Sequence, residues 1–523
     1  MANPSLQIGN SNWAIKEDNL LGYSTVGTNY LPKPMTMTRE SAGTRVNSSG
    51  LVETVELLGS EEITGFTNGT SYPFSTFTTS GNNITSAIIS SSFAGAVSNS
   101  ISIVNGKTYK VTFTYAKNSG DDLRVLISNS ISGAGTSISN IEQVSASGDI
   151  TLFFTATSTT TGYLQMGTGS GSDSLDISIT NISVKESTKN NLARVDYDGT
   201  ASSLLVEPER TNLIQYSEDI TDVNSYLSSG VTLASNQGVT PMGTDNATKL
   251  TSTGTDPFIL YTIPNTNATF TLSVYAKGVG RSVGKDINFY LIRDNYLEAV
   301  KSSQFTLTNE WVRYTATLSL STNPTTQVIY RIDAPSVAET GDEVLIWGTQ
   351  CEVGSYPTSY IPTDGGTVTR NQDQYSKTGI SNLINSEEGV LFLEATREDN
   401  TNYISKITLN DGSKVNQLVI QYRFGYNLVA NLTIASVSTS ISTNTLTPVS
   451  NKIAIVWAFN RLELWVNGSK IGEITTAGTF PVNTLSRLMF SEGDGTDDFF
   501  GKIKQLQVFK TALTDTELIT LTT

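Results

Sequence analysis

Residues 107–127, KTYKVTFTYAKNSGDDLRVLI, return in altered form as ATFTLSVYAKGVGRSVGKDINFYLI at 268–292, with Tyr115-Ala116-Lys117 answering Tyr275-Ala276-Lys277 160 residues on. LFFTATST (152–159) answers VRYTATLS (312–319) at the same offset, and the copies close on SLDISITNISVKE (174–186) and DEVLIWGTQCEVG (342–354). An internal repeat of this length constrains the fold strongly, because each copy must be able to close a core of its own. The shared strings alternate apolar and polar residues with period two, the pattern of half-buried β-strands. The repeat therefore predicts two homologous β-sandwiches. On this alignment Tyr115 and Tyr275 hold equivalent places and are expected to share a packing role.

The rest of the chain extends the same reading. In KIAIVWAF (452–459), Ile453, Ile455, Trp457 and Phe459 share one face, and RLELWVNG (461–468) sets Leu462, Leu464 and Val466 against Glu463 and Trp465. Asn467-Gly468 supplies the positive φ angles of a tight hairpin turn. One short helix is predicted at LTDTELITL, with Thr514 as N-cap and Glu517 completing a capping box. The predicted fold is all-β: three sandwiches, of jelly-roll and concanavalin A-like kind, in series with extended linkers and an irregular N-terminal region. The expected boundaries are an N-terminal attachment region at 1–57, sandwiches at 58–187 and 218–362, an extended strap at 188–217 and a linker at 363–384. A third sandwich of different strand pattern follows at 385–523. Trp311, Trp347, Trp457 and Cys351 are expected in the cores.

Several classes of function are disfavoured. Across 523 residues the net charge is −15 and no basic block interrupts it, which argues against a nucleic-acid partner. There is no histidine, so a Ser-His-Asp or Cys-His arrangement cannot be built. The single cysteine, Cys351, allows neither an internal disulfide nor a multi-thiolate metal site. No apolar run of membrane-spanning length occurs, and no signal peptide is read at the start.

Three places carry candidate chemistry. Glu207-Pro208-Glu209-Arg210 puts two carboxylates and a guanidinium in four residues. We read it as an ion pair with backbone hydrogen bonds that fix a strap, rather than as the acid and base of a glycosidase. In SEGDGTDDFFG (491–501), Asp494, Asp497 and Asp498 offer hard oxygen ligands that suit calcium, although aspartate and glycine are also ordinary turn residues. Trp465 beside Glu463 is a candidate carbohydrate contact, the indole stacking on a sugar while the acid holds hydroxyls; cover by the C-terminal helix or by a neighbouring subunit is the alternative.

TMTRESAGTRVNSSGLVE (36–53) and ARVDYDGTASSLLVEPERTNLIQYSEDI (193–220) resemble two halves of a segment common in bacteriophage tail-fibre and other virion appendage proteins. In those proteins the halves lie close together; here residues 58–187 stand between them. The second sandwich, ending QCEVGSYPTSYIPT, resembles jelly-roll carbohydrate-binding modules. NKIAIVWAFNRLELWVNGSKIGEI (451–474) and FFGKIKQLQVFKTALTDTEL (499–518) resemble landmarks of concanavalin A-like, laminin-G-like domains. The resemblance implies a non-enzymatic virion protein on the particle surface, a tail-fibre or appendage subunit that contacts host-surface glycans. The N-terminal region would join other virion proteins, and the chain would assemble as a homo-oligomer such as a trimer. It also favours calcium near the ligand face of the third sandwich. A purely structural capsid decoration or head-fibre protein is the first alternative, and a polysaccharide depolymerase the second.

Overall fold

The computed structural model describes residues 3–523 apart from 11–12, 14, 17–18, 27–28, 134–135, 222–225, 255, 295, 398–402, 426 and 448, with only the backbone over 15–34. The chain is all-β, as its alternation predicts, and the one α-helix among the described residues is Asp515–Thr522. It divides into two compact units, Glu56–Lys189 on one side and Met1–Val55 with Asn190–Thr523 on the other.

Glu56–Lys189 is a two-sheet sandwich. One sheet runs Gly148–Thr155, Thr108–Gly120, Leu175–Thr188, Asn83–Ile89, Thr76–Ser80. Its partner runs Ser137–Val144, Leu123–Ser128, Thr160–Gly167, Gly95–Ser98, Phe66–Asn68. The second copy repeats both orders. Its first sheet runs Val312–Ser319, Thr269–Val279, Glu343–Val353, Thr248–Ser252, Val231–Ala234. Its second runs Glu298–Lys301, Asp286–Arg293, Val328–Asp333, Phe258–Ile263, Tyr226–Ser229. The repeat in sequence is thus a repeat in topology.

Within that common order one strand changes face. Val111, Phe113 and Tyr115 point into the core of the first sandwich. In the second, Leu272, Val274 and Ala276 point inward, and Tyr275 lies on the opposite face against Trp347 and Tyr360. The 160-residue alignment is therefore one residue out of structural register along this strand. Because side chains alternate, a slip of one exchanges the two faces. Tyr115 and Tyr275 do not share a packing role.

The C-terminal sandwich contains the expected meander. Gly389–Arg397, Asn451–Ala458, Arg461–Val466 and Ser469–Ile474 pair antiparallel in that order. Asn467 (φ 47°) and Gly468 (φ 81°) make the turn. Ile453, Ile455 and Trp457 are fully buried, whereas Phe459 falls beyond the strand end and is 73% exposed.

This sandwich also takes strands from distant parts of the chain. Leu6–Gly9 pairs with Gly501–Phe509, Leu6 opposite Val508, and Ala201–Val206 pairs with the same strand. Asn29–Thr38 pairs with Gln374–Lys377. Residues 1–57, expected to be irregular, and 188–217, expected to be a strap, therefore hold sheet strands. The reason is local alternation: Leu6 with Ile8, Met35 with Met37, and Leu204 with Val206 are each fully buried in the C-terminal core. The expected linker at 363–384 likewise contains the strands Val368–Arg370 and Gln374–Lys377.

Candidate functional site

Residues two apart in a regular strand share a face, yet Glu207 and Glu209 part company. The strand Ala201–Val206 stops just before them, and Pro208 has no N–H with which to continue the ladder. Glu207 turns inward and is 3% exposed, while Glu209 lies on the surface. The Glu207 carboxylate accepts hydrogen bonds from Arg194 Nη1 at 2.6 Å and from Ser359 N and Oγ at 2.7 Å each, and pairs with Arg370 at 2.9 Å. Asp373 accepts from Arg39 Nη1 at 2.8 Å, from Arg194 Nη2, and from the Glu207 amide at 2.9 Å.

Arg39, Arg194 and Arg370 are each buried. Burial resists ionisation of Glu207, but the charges of Arg370 and Arg194 with the hydrogen bonds outweigh it and bring the carboxyl to about 2. Burial also disfavours the Arg194 cation, and Asp373 and Glu207 reverse that effect and hold it above its ordinary value. A lone buried charge would neutralise; this set persists because it is paired and hydrogen-bonded. The cluster ties segments near residues 39, 194, 207, 359 and 373 together. Glu207 and Ser359 border a cavity of about 360 Å³, but both carboxylates of the cluster are taken up by its own guanidiniums, so it sets no carboxylate free for a ligand.

A different part of the second sandwich does. An open cleft of about 510 Å³ is lined by Tyr216, Glu218, Asp219, Asn236, Asn246 and Asp364, among others. Its floor is held by the main chain: Tyr216 and Asp364 form an isolated β-bridge, the Ser217 amide donates to the Thr363 carbonyl at 3.3 Å, and the Thr349 amide donates to the Ser217 carbonyl at 2.9 Å. The Glu218 carboxylate accepts from Tyr360 Oη at 3.2 Å and from Asn246 Nδ2 at 3.1 Å.

Tyr360 is itself fixed. Its ring lies 4.7 Å from that of Trp347 and 6.3 Å from that of Tyr275, and its hydroxyl bonds Ser217 Oγ at 2.6 Å. The displaced Tyr275 is thus part of the support behind the cleft. Burial pushes Glu218 above the usual carboxylate range; the bonds from Asn246 and Tyr360 oppose this and nearby Asp364 adds to it. No lysine or arginine is among the described residues lining the cleft. Carboxylates, amides and a half-exposed phenol ring suit an uncharged polyhydroxylated ligand, and repel an anionic one.

The residues singled out from the sequence fare differently. Trp465 is 3% exposed and packs with Val390, Phe392, Ala454 and Leu518 beneath the C-terminal helix. Its Nε1 donates to Glu463 Oε2 at 2.8 Å. Glu463, 2% exposed, also binds Arg461 and Lys470, at 2.9 and 3.0 Å. Burial raises the Glu463 carboxyl, and the bonds from Arg461, Trp465 and Lys470 overcome it and hold it low. The pair therefore has no face free for a sugar, because the capped helix covers the indole.

The aspartates of 491–501 do not converge on a cation site. Asp494 pairs with Lys414 at 2.9 Å and Asp497 with Lys406 at 2.8 Å, and both lysines also bind Glu492 at 2.8 Å. Asp498 instead accepts from Gln372 Nε2 at 3.1 Å. Among the described residues no three acidic, cysteine or histidine side chains are placed to hold a metal. Two ammonium groups neutralise this loop, and its residues do not fit calcium.

No sequence motif marks the cleft. Glu218 sits in an ordinary string, IQYSEDI, and Asn246 and Asp364 are brought to it only by the fold. The neighbouring Glu-Pro-Glu-Arg string was the nearest available signal.

No protein-family description and no curated protein matches the chain. Solved structures do. The CBM40 of the Ruminococcus gnavus IT-sialidase, bound to α2,3-sialyllactose, is 18% identical over 26% of this chain and 83% of its own, with a TM-score of 0.24. The CBM22-1–CBM22-2 tandem of Paenibacillus barcinonensis Xyn10C is 12% identical over 57% of this chain and 97% of its own, TM-score 0.22. The heptameric SAP-like pentraxin of Limulus polyphemus is 13% identical over 27% and 71%, TM-score 0.23. Likeness at this level names no ligand for this chain.

Proposed function

We propose that this chain is a glycan-binding β-sandwich protein, without catalytic activity, that recognises an uncharged sugar in the Glu218 cleft. The observation that carries the reading is the cleft's chemistry: Glu218 set by Tyr360 and Asn246, with Asp219, Asp364 and the Tyr216 ring beside it and no basic residue among the described lining. A weak single site gains strength by repetition, so a homo-oligomer on a surface is the setting in which such a cleft is effective. The Glu-Pro-Glu-Arg-Thr-Asn string and its resemblance to virion appendage proteins support a phage particle as that surface.

The test is a glycan-array screen of the full chain followed by calorimetric titration of the best neutral ligand. Tyr216→Ala and Glu218→Gln are each expected to weaken binding about tenfold or more, the loss of one stacking face or one charge-assisted hydrogen bond. Unchanged affinity in both folded variants, or no neutral ligand at multivalent concentration, would leave the sandwiches as structural spacers. Release of shortened oligosaccharides would instead make the chain a depolymerase.

A further inference from the structure

Arg210, the last member of the Glu-Pro-Glu-Arg string, takes no part in the buried ion cluster and lies beside a second pocket. We propose that this pocket, of about 240 Å³ and lined by Glu209, Arg210, Tyr356, Tyr403, Ser405 and Phe500 among others, binds one carboxylate-bearing sugar residue of the uronate class. It is separate from the Glu218 cleft, shares none of its lining residues, and does not rest on the reading given to that cleft.

Three observations define the ligand. The first is unsatisfied donors. Ser405 is 2% exposed, and its Oγ has no hydrogen-bond partner among the described residues. Arg210 Nε is also buried without a partner there, although Nη1 donates to the Glu209 carbonyl at 3.0 Å. Both atoms are enclosed, Arg210 Nε against Gly354, so an acceptor in the pocket meets them only once the two side chains turn toward it, a turn that the cost of leaving buried donors unpaired favours.

The second is charge. Arg210 and Arg397 both line the pocket; Arg397 Nη1 and Nη2 donate to the Arg423 and Tyr403 carbonyls, which fixes its charge at the wall, and the Arg210 guanidinium is left to match a carboxylate in plane and in spacing. Arg210 is pre-positioned, its Cζ 5.3 Å from the Tyr356 ring centroid. A side chain at position 354 would collide with that guanidinium, since a Cβ there would stand 2.9 Å from Nη2. Gly354 keeps the space that Arg210 fills.

The third is the aromatic wall. Tyr403 and Phe500 lie 6.0 Å apart at 34°, and Tyr403 is 43% exposed, so ring surface remains for the apolar face of a pyranose. The volume falls below the usual 300–1,000 Å³ of sites for drug-sized ligands, which fits one sugar residue rather than a chain. Glu209 at the rim can accept from sugar hydroxyls. Its charge does not cancel two guanidiniums.

The experiment titrates the full chain with galacturonate and glucuronate, and with galactose and glucose as neutral counterparts, read by saturation-transfer NMR and calorimetry. We expect a uronate to bind and its neutral counterpart to bind about tenfold more weakly or not at all. Arg210→Gln and Ser405→Ala should each reduce uronate affinity about tenfold. Tyr403→Ala, at an exposed position that should not disturb folding, should weaken it severalfold and abolish saturation transfer to the ring protons. Absence of uronate binding, a neutral sugar that competes with the uronate at equal affinity, or full uronate affinity in folded Tyr403→Ala would each overturn the proposal. Failure of the neutral-ligand titration at the Glu218 cleft would bear on neither arm.

Discussion

Glu207 and Glu218 are eleven residues apart in sequence and lie at opposite extremes of carboxylate environment. Glu207 is surrounded by cations, and replacing it with glutamine would leave Arg194 and Arg370 short of a counter-charge in a buried site. Glu207→Gln is expected to cost about 3–5 kcal/mol, measured by denaturant unfolding of the full chain. Acid should act on the same group. Its folded pKa of about 2 lies below the ordinary 4.5, so its contribution is full above pH 4.5 and is lost as pH falls from there through about 2. That contribution is of the order of 3 kcal/mol at about 1.4 kcal/mol per pKa unit, and it should be missing from the acid limb of the variant.

Glu218 has the opposite sign. Its folded pKa is raised, so its ionisation opposes folding as pH climbs above the ordinary carboxylate value. Glu218→Gln should therefore have a higher Tm than the parent at about pH 7 and an equal one at about pH 4. An equal Tm at both would mean that the cleft carboxylate is solvated like any surface acid. Neither environment was legible in the strings themselves. Charges three or four residues apart could be read from them, but the guanidiniums that meet Glu207 come from residue 194 and residue 370.

At the scale of elements the sequence was a better guide, and its failures are informative. The capping box at Thr514 and Glu517, the Asn467-Gly468 turn and the segregation of Leu462, Leu464 and Val466 from Glu463 and Trp465 all stand in the structure. Each is a short-range property set by neighbours along the chain. What alternation could not show is whether the second face of a strand meets water or another element. For Arg461–Val466 that face meets the helix, and the apparent sugar platform is a second small core. Tyr275 shows the same limit, since identical strings in two strands take opposite faces when pairing shifts by one residue.

The helix makes this testable. Thr514→Ala removes the bond to the Glu517 amide and should cost about 1 kcal/mol of stability. Leu518, fully buried over Trp465, should then fray away with the first turn. Acrylamide quenching of tryptophan emission should rise, and the rise should vanish in a Trp465→Phe background. A cap variant with unchanged quenching would show that packing alone seats the helix.

The whole molecule is arranged by insertion rather than by simple succession. The first strands and the last belong to one body: Leu6 faces Val508, and Met35, Leu204 and Leu506 share a core. Between those early strands and their continuation at Asn190 stands the entire unit Glu56–Lys189. The two halves of the resembled segment, 36–53 and 193–220, are rejoined in space although the first sandwich separates them in sequence. Val55 N bonds the Gly43 carbonyl at 3.0 Å, the Arg39 amide donates to Asn191 Oδ1 at 2.8 Å, and the Val46 amide donates to Asp196 Oδ1 at 2.8 Å. Both points of insertion are thus anchored to one framework, and the buried Arg39–Asp373–Arg194–Glu207 cluster fastens the strands that flank them.

It follows that the inserted sandwich can be removed. A chain in which residues 56–189 are replaced by a Gly/Ser linker of about six residues should fold, unfold cooperatively and keep its Tm within a few degrees, because none of the buried cluster and none of the C-terminal core is lost. The excised piece carries its own core of Val111, Phe113, Tyr115, Ile127 and Leu164 and is long enough to fold alone. Near-UV circular dichroism and calorimetry of both pieces decide the matter. If the shortened chain lost its cooperative transition while the excised sandwich kept one, the first copy would be a structural keystone of the framework rather than a unit inserted into it.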